Sequence, residues 1–379
     1  MSDFDLGIVK NPSVYEQNRL APHSDHLCYA NYQEMMDGAG SSLRQSLNGS
    51  YFFHYAMNFG QMPQGFERDD FDVSGWASIK VPGHFETQGY GKPHYTNVAY
   101  PWDGREQVRP GEIPQRFNAV GSYVTFFECS SKWRNCFICF EGVDSAFALY
   151  LNGHYVGYAT GSFTPSDFDL TPYLRPGQNR LAVRVFKYSS GSHLEDQDYW
   201  RLSGIFRGVY LYTKPEVYLE DIFVKPTLDD SYTQPLLSGT VKLNAPGAVQ
   251  LYLIDEERRI CSQPVVVNEA NTDVPFSLDL NGLNLLPWSA EKPHLYTLIC
   301  QVVSQEEAAR VNFVCAGAGA YEALDANESA AMNALFELDE PSFGICRLKI
   351  GFRRFELRNG IMCLNGKRIV FHGVNRHEF

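Results

Sequence analysis

Ala146-Phe147-Ala148-Leu149-Tyr150-Leu151-Asn152-Gly153-His154-Tyr155-Val156-Gly157-Tyr158 decides the fold class. Asn-Gly stands between two β-rich runs, and both residues tolerate the positive φ that a tight two-residue hairpin turn needs. The same texture repeats on either side. Upstream, Asn48-Gly49 precedes Tyr51-Phe52-Phe53-His54-Tyr55, Trp76 to Val81 runs into Pro82-Gly83, and Ser122 to Phe127 reads as a strand. Downstream, Pro176-Gly177 precedes Arg180 to Phe186, and Val209 to Tyr212 stops before Lys214-Pro215. Within Arg180 to Phe186, Leu181, Val183 and Val185 alternate with Arg180, Ala182 and Arg184, which predicts one buried face and one wet face. Many short strands at this spacing predict a mainly β fold, with a sandwich or jelly roll over residues 49–214.

A second β block follows over residues 215–356. Ile222 to Pro226, Gly239 to Leu243, Val249 to Ile254 and Tyr296 to Val303 read as its strands. An immunoglobulin-like β-sandwich suits it, in architecture only, because the Cys…Trp…Cys spacing is missing. Residues 316–340 are Ala-rich and charged and read as a hairpin insertion with some helix. Residues 357–379 change texture again. Arg358-Asn359-Gly360 and Asn365-Gly366-Lys367 mark two hairpin turns, and Ile369-Val370-Phe371 then reads as the kind of apolar strand that a buried parallel sheet uses. Residues 1–48 are polar and irregular, which leaves a disordered tail and an arm packed on another domain or subunit both open.

Composition narrows the function classes. Hydrophobic residues are 44% and charged residues 20%, ordinary for a globular protein, so disorder is not the main state. The net charge of −12 argues against non-specific binding to nucleic acid or to an anionic membrane. No run approaches the roughly 18 apolar residues of a membrane span, and the N-terminus shows no signal-peptide pattern. Nine cysteines, odd in number and thinly spread, fit reduced thiols in a cytoplasm better than a disulfide framework. Cys136-Phe137-Ile138-Cys139 has CxxC form, but positions three apart on a strand point to opposite faces and no second pair follows, so buried strand cysteines are expected.

Three clusters could carry chemistry. In His193-Leu194-Glu195-Asp196-Gln197-Asp198-Tyr199-Trp200-Arg201, three acids and a Gln lie beside an aromatic ring. The run reads either as a solvated acidic loop or as a sugar or hard-cation site, where carboxylates accept from hydroxyls or coordinate through oxygen and a ring covers an apolar sugar face. Tyr95-Thr96-Asn97-Val98-Ala99-Tyr100-Pro101 brings Asn97, an amide that can both donate and accept, or else a structural loop amide. Asn375-Arg376-His377-Glu378 stands just past the apolar strand, as a site at a barrel strand's C-terminal end or as a salt-bridged strand end.

These motifs together resemble the large β-galactosidases of glycoside hydrolase family 2. In the family's order the sequence carries Asn18-Arg19-Leu20 with Pro22-His23, Ser46-Leu47-Asn48-Gly49, Val81-Pro82-Gly83-His84, and Tyr95-Thr96-Asn97-Val98 with Tyr100-Pro101. Leu194-Glu195-Asp196-Gln197-Asp198, Trp200-Arg201, Ser203-Gly204-Ile205-Phe206-Arg207, Gly351-Phe352-Arg353, Asn365-Gly366-Lys367 and Gly373-Val374-Asn375-Arg376-His377-Glu378 complete the series. The related β-glucuronidases differ in the acidic block and carry Lys where Arg376 stands.

The resemblance implies an N-terminal arm, a jelly-roll (galactose-binding-like) domain, an immunoglobulin-like domain and the first strand of a truncated (β/α)8 barrel. It implies a retaining hydrolase of terminal β-galactosides such as lactose, whose two catalytic carboxyls stand ~5–5.5 Å apart. Those glutamates and the main magnesium ligands match family positions beyond Phe379, so the resemblance predicts a chain cut short before the catalytic pair and without hydrolase activity alone. Asn97 matches a residue lining the galactose site, and Asp198 one that binds galactosyl hydroxyls and a sodium ion. His377 matches a histidine that contacts the galactosyl group and stabilises the transition state. Phe379 stands where the family usually has a second His. A homo-oligomer or a complementing C-terminal polypeptide is the expected partner, and a standalone carbohydrate-binding or complementing subunit is the alternative function.

Overall fold

The computed structural model describes residues 4–38, 40–109, 111–195, 198–255, 258–278, 280, 285–310, 314–315 and 344–375. The chain divides into two units. One takes the residues up to Ala21 together with Arg44–Thr213, and the other Pro22–Leu43 together with Lys214–Val374.

In the first unit the opening hairpin forms as its sequence dictates. Ala146–Leu151 pairs with His154–Thr160, and Asn152 and Gly153 take φ of 51° and 81° at the turn. The Asn152 side chain also acts beyond the turn, donating to the Asn179 amide at 2.8 Å and accepting from the Arg180 N–H at 2.8 Å. It thereby ties the hairpin to the next strand, Gln178–Phe186. The antiparallel sheet has seven strands, in the order Glu16–Gln17, His154–Thr160, Ala146–Leu151, Gln178–Phe186, Val120–Glu128, Gly49–Ala56 and Ala77–Val81. A second sheet of four strands, Ser166–Asp169, Phe137–Phe140, Val209–Tyr212 and Arg44–Ser46, lies against it. Between the two sit Phe53, Tyr123, Phe140, Phe147, Leu181 and Val183, all buried.

The wet face expected for Gln178–Phe186 is not wet. Arg180 and Arg184 are only 3% and 5% exposed. Val9, Met62, Phe66 and Val73 cover that face and pack with Ala148, Tyr150, Ala182 and Phe186 in a second core. Alternation assigns residues to faces, but it does not say what a loop later lays over a face. Each buried guanidinium is held by that same loop through one terminal nitrogen, while both Nε atoms stay without a hydrogen-bond partner among the described residues. Arg180 donates to the Phe66 carbonyl at 2.8 Å, while Arg184 donates to the Pro63 carbonyl at 3.2 Å and lies over the Phe66 ring.

The polar N-terminal segment is ordered where it is described. Glu16–Gln17 extends the seven-stranded sheet by pairing with Tyr158 and Ala159. Cys28–Tyr29 pairs with Ile345 and Cys346 in the second unit.

That unit is a sandwich of antiparallel strands. Leu219–Leu228, Pro235–Leu243 and Val274–Leu278 form one sheet. The other runs Cys28–Tyr29, Ile345–Ile350, Tyr296–Val303, Gly247–Asp255, Arg258–Val267 and Val314–Cys315. The insertion expected at 316–340 lies outside the described residues. After Phe352, the strands Phe355–Arg358, Ile361–Leu364 and Lys367–Arg368 make a small meander with Asn359-Gly360 and Asn365-Gly366 at positive φ, as the turn residues predict. The apolar strand expected at Ile369-Val370-Phe371 does not form, and Val370 and Phe371 are 63% and 67% exposed. A parallel barrel strand needs ladder partners on both sides, and among the described residues this segment has one backbone bond to a strand, from the Ile369 N–H to the Met362 carbonyl at 3.0 Å, where the meander ends.

Candidate functional site

A two-stranded antiparallel ribbon, separate from both large sheets, carries the candidate site. His94–Thr96 pairs with Tyr199–Arg201 in the register Thr96 to Tyr199, Tyr95 to Trp200 and His94 to Arg201. Asn97 follows the first strand directly and Asp198 precedes the second. Antiparallel register therefore brings both to the same end of the ribbon, although about a hundred residues separate them in sequence. The Tyr95 phenol donates to Asp198 Oδ1, and its ring leans on Trp200 with centroids 5.7 Å apart. Asn97 is exposed, its neighbour Val98 is 94% exposed, and Trp200 is partly open to solvent.

The acidic run divides by role. Glu195 is spent on structure, accepting from the Ser162 N–H at 2.8 Å and the Ser162 hydroxyl at 2.7 Å. Asp196 and Gln197 lie outside the described residues, as do Arg376, His377, Glu378 and Phe379. The structure thus brings Asn97 and Asp198 together and is silent on His377.

A buried polar layer lies under the ribbon, and sequence reasoning missed it. Lys187 forms an ion pair with Glu86, and its ammonium donates to the Arg201 carbonyl at 3.1 Å. Beside this pair, Asp144 has its pKa pushed up to about 8, by burial first and then by the nearby Glu195 charge. Asp144, Lys187, Tyr188, Glu195, Tyr199 and Arg201 line one small cavity. Burial likewise raises the Tyr199 phenol, and burial with the Arg105 charge lowers the His94 imidazole. No short-range spacing announces this layer, because Glu86 and Lys187 meet from a hundred positions apart.

The remaining chemistry is quieter. Cys136 and Cys139 are both buried, as expected, but only Cys139 is in the strand Phe137–Phe140, and Cys136 Sγ, just before it, lies 3.4 Å from that of Cys129. Among the described residues no three His, Cys, Asp or Glu side chains gather closely enough to hold a metal ion. Asp198 has the hard oxygen donors that a sodium ion takes. One of its oxygens is already shared with Tyr95, so any other ligands come from elsewhere.

The profile of the sugar binding domain of the glycosyl hydrolases family 2 matches residues 44–215, and a second family 2 profile matches residues 217–312. The chain belongs to glycosyl hydrolase family 2. Its match to the family's sugar binding domain contains the whole ribbon, including Asn97 and Asp198. Among family 2 relatives, a Beta-galactosidase of Halalkalibacterium halodurans is 42% identical over 378 residues, which cover 98% of this chain and 34% of that protein. A Beta-galactosidase large subunit of Latilactobacillus sakei is 38% identical over 393 residues, covering 98% of this chain and 56% of that protein. The chain thus spans about a third of the length of the first relative and just over half of the second. In fold it is similar to a calcium-binding mutant of Bacteroides uniformis beta-glucuronidase 2, with a TM-score of 0.61, 19% identity, and coverage of 88% of this chain and 36% of that one. No helix among the described residues is long and apolar enough to cross a membrane.

Proposed function

We propose that this family 2 chain supplies the galactosyl-binding half of a retaining β-galactosidase acting on terminal, lactose-type β-galactosides. One observation carries the reading: Asn97 and Asp198 stand at one end of one ribbon, beside exposed aromatic surface. A carboxylate accepting from vicinal hydroxyls, an amide that donates and accepts, and the Tyr95 and Trp200 rings suit a sugar with a polar rim and an apolar face. In this reading Asp198 binds galactosyl hydroxyls and contributes one oxygen to a sodium ion, which would hold a hydroxyl in place. His377 contacts the same galactosyl group and stabilises positive character in the transition state. The two glutamates that protonate and attack, and the magnesium ligands, are expected on barrel strands outside residues 1–379, so this chain binds and orients without cleaving.

The names of the large-subunit relatives support a complementing arrangement. We accordingly assign the barrel either to a continuation of the same polypeptide or to a partner polypeptide, within a homo-oligomeric enzyme. A standalone carbohydrate-binding or complementing subunit is the second reading, favoured by the place of Asn97 and Asp198 on one ribbon within one unit. The free cysteines among the described residues fit a reducing cytoplasm.

Saturation-transfer NMR of the purified chain with methyl β-galactoside, with and without sodium, tests the reading. Transfer is expected in the wild-type chain and not in Asn97→Ala or Asp198→Asn. A chromogenic β-galactoside should stay intact unless a barrel polypeptide is added. Hydrolysis by the chain alone, prepared from a host lacking its own β-galactosidase, would overturn the division of labour.

A further inference from the structure

Three ladder pairs form the ribbon that carries Asn97 and Asp198 at its end. So short a two-stranded element has little stability of its own, and its geometry must come from what anchors it. The anchor lies at the opposite end from the two site residues. Lys187 follows directly on Gln178–Phe186, a central strand of the seven-stranded sheet, and its own N–H donates to the Ala119 carbonyl at 2.9 Å. The side chains of Lys187 and Glu86 are only 8% and 1% exposed.

This buried ion pair is wired to the backbone of the ribbon and its exit. The ammonium donates to the Arg201 carbonyl at 3.1 Å, and Glu86 Oε2 accepts from the Ser203 N–H at 2.8 Å. The neighbouring backbone reinforces the hold, with the Phe85 N–H donating to the Ser203 carbonyl at 2.9 Å. Each charge therefore has its opposite and a backbone dipole within reach, which is the condition for a buried pair to persist. A pair that contacts no site residue yet grips the strand leading to Asp198 acts on that residue through the ribbon.

We propose that Glu86 and Lys187 are positioning residues for the sugar site, clamping the base of the ribbon so that its far end presents Asn97 and Asp198 together. The clamp stands on geometry alone, whereas its consequence for sugar rests on the proposed function.

Hydrogen exchange on the full chain tests the clamp without any sugar, with the amides of Gln178–Phe186 as internal control. In the double variant Glu86→Leu/Lys187→Met, amides of residues 94–97 and 198–203 should exchange at least tenfold faster while the control amides keep their protection. Lys187→Arg retains the charge and a donor for the Arg201 carbonyl, and should restore the protection that Lys187→Met alone loses. Unchanged ribbon protection in the folded double variant would overturn the proposal, as would a Lys187→Arg variant as loose as Lys187→Met. If the double variant does not fold, Glu86→Gln decides the same question, since it keeps an acceptor for Ser203 and removes the charge that Lys187 needs. Faster ribbon exchange there supports the clamp, and wild-type exchange overturns it. Methyl β-galactoside then separates the two readings. Transfer weakened at least fivefold in the loosened variants supports both. Equal transfer overturns the link to the sugar site, and no transfer even in the wild-type chain overturns the sugar reading while the exchange result still judges the clamp.

Discussion

The Tyr95 phenol donates to Oδ1 of Asp198 across the ribbon, joining two residues 103 positions apart. This bond links the two motifs that make up the candidate site. It occupies one acceptor site on Oδ1, leaving the rest of that oxygen and Oδ2 to accept from a ligand. A hydrogen bond to a charged group contributes about 1.5–3 kcal/mol.

Tyr95→Phe keeps the ring against Trp200 and removes only the hydroxyl. Affinity for methyl β-galactoside should fall about tenfold, roughly 1.4 kcal/mol, with the thermal midpoint nearly unchanged. Ligand titration alongside a melting curve checks both halves. A wild-type affinity would mean that Asp198 is held by other contacts.

Arg180 distinguishes a covered sheet face from a wet one. Arg180→Leu leaves the Phe66 carbonyl without its buried donor, at a cost of about 1–3 kcal/mol. On a wet face the same substitution would stay within about 0.5 kcal/mol. Urea denaturation of the two proteins measures the difference directly.

Asp144 makes the first unit sensitive to pH. Its pKa stands at about 8 in the fold against an ordinary value of 3.8. Between those values the folded state holds a proton that the unfolded state releases, so stability falls as pH rises. The slope is about 1.4 kcal/mol per pH unit. Burial sets this balance first; the Glu195 and Glu86 charges add to it, and Lys187 and Arg201 oppose it. Asp144→Asn should remove that part of the slope, so that the variant gains on wild type steadily from pH 5 to pH 7. Denaturation midpoints across this range report the gain.

The cysteines should differ sharply in reactivity. The hydrogen bond shared with Cys136 pushes the half-buried Cys129 down. The same bond and burial push Cys136 up, and burial beside Asp167 pushes Cys139 up. Reactivity follows the thiolate and its exposure. Iodoacetamide on the native protein should therefore modify Cys129 well before the other two, as read by peptide mass spectrometry over time.

Much of the fold is written locally. Asn152-Gly153, Asn359-Gly360 and Asn365-Gly366 each make the turn that their positive-φ tolerance predicts, and Tyr296–Val303 is a strand over its whole predicted length. The site motif is equally local, since Tyr95 to Asn97 and Asp198 to Arg201 stand out as polar and aromatic clusters. What escaped was non-local. The alternation in Arg180 to Phe186 could not reveal that Phe66 and its loop would cover the arginine face. The apolar run Ile369 to Phe371 could not reveal that no parallel ladder would form along it among the described residues.

The sequence by itself determined the β texture, the turns and the family, and it singled out Asn97 and Asp198 as candidates, because turn chemistry, side-chain alternation and motif order all act within a few residues. Tertiary structure alone decided that Asn97 and Asp198 share one end of a ribbon, that Tyr95 holds Asp198, and that Glu86 and Lys187 meet at the ribbon's other end. These are contacts between segments about a hundred residues apart. Their free energy depends on burial and exact register, and neither quantity exists until the sheets have closed.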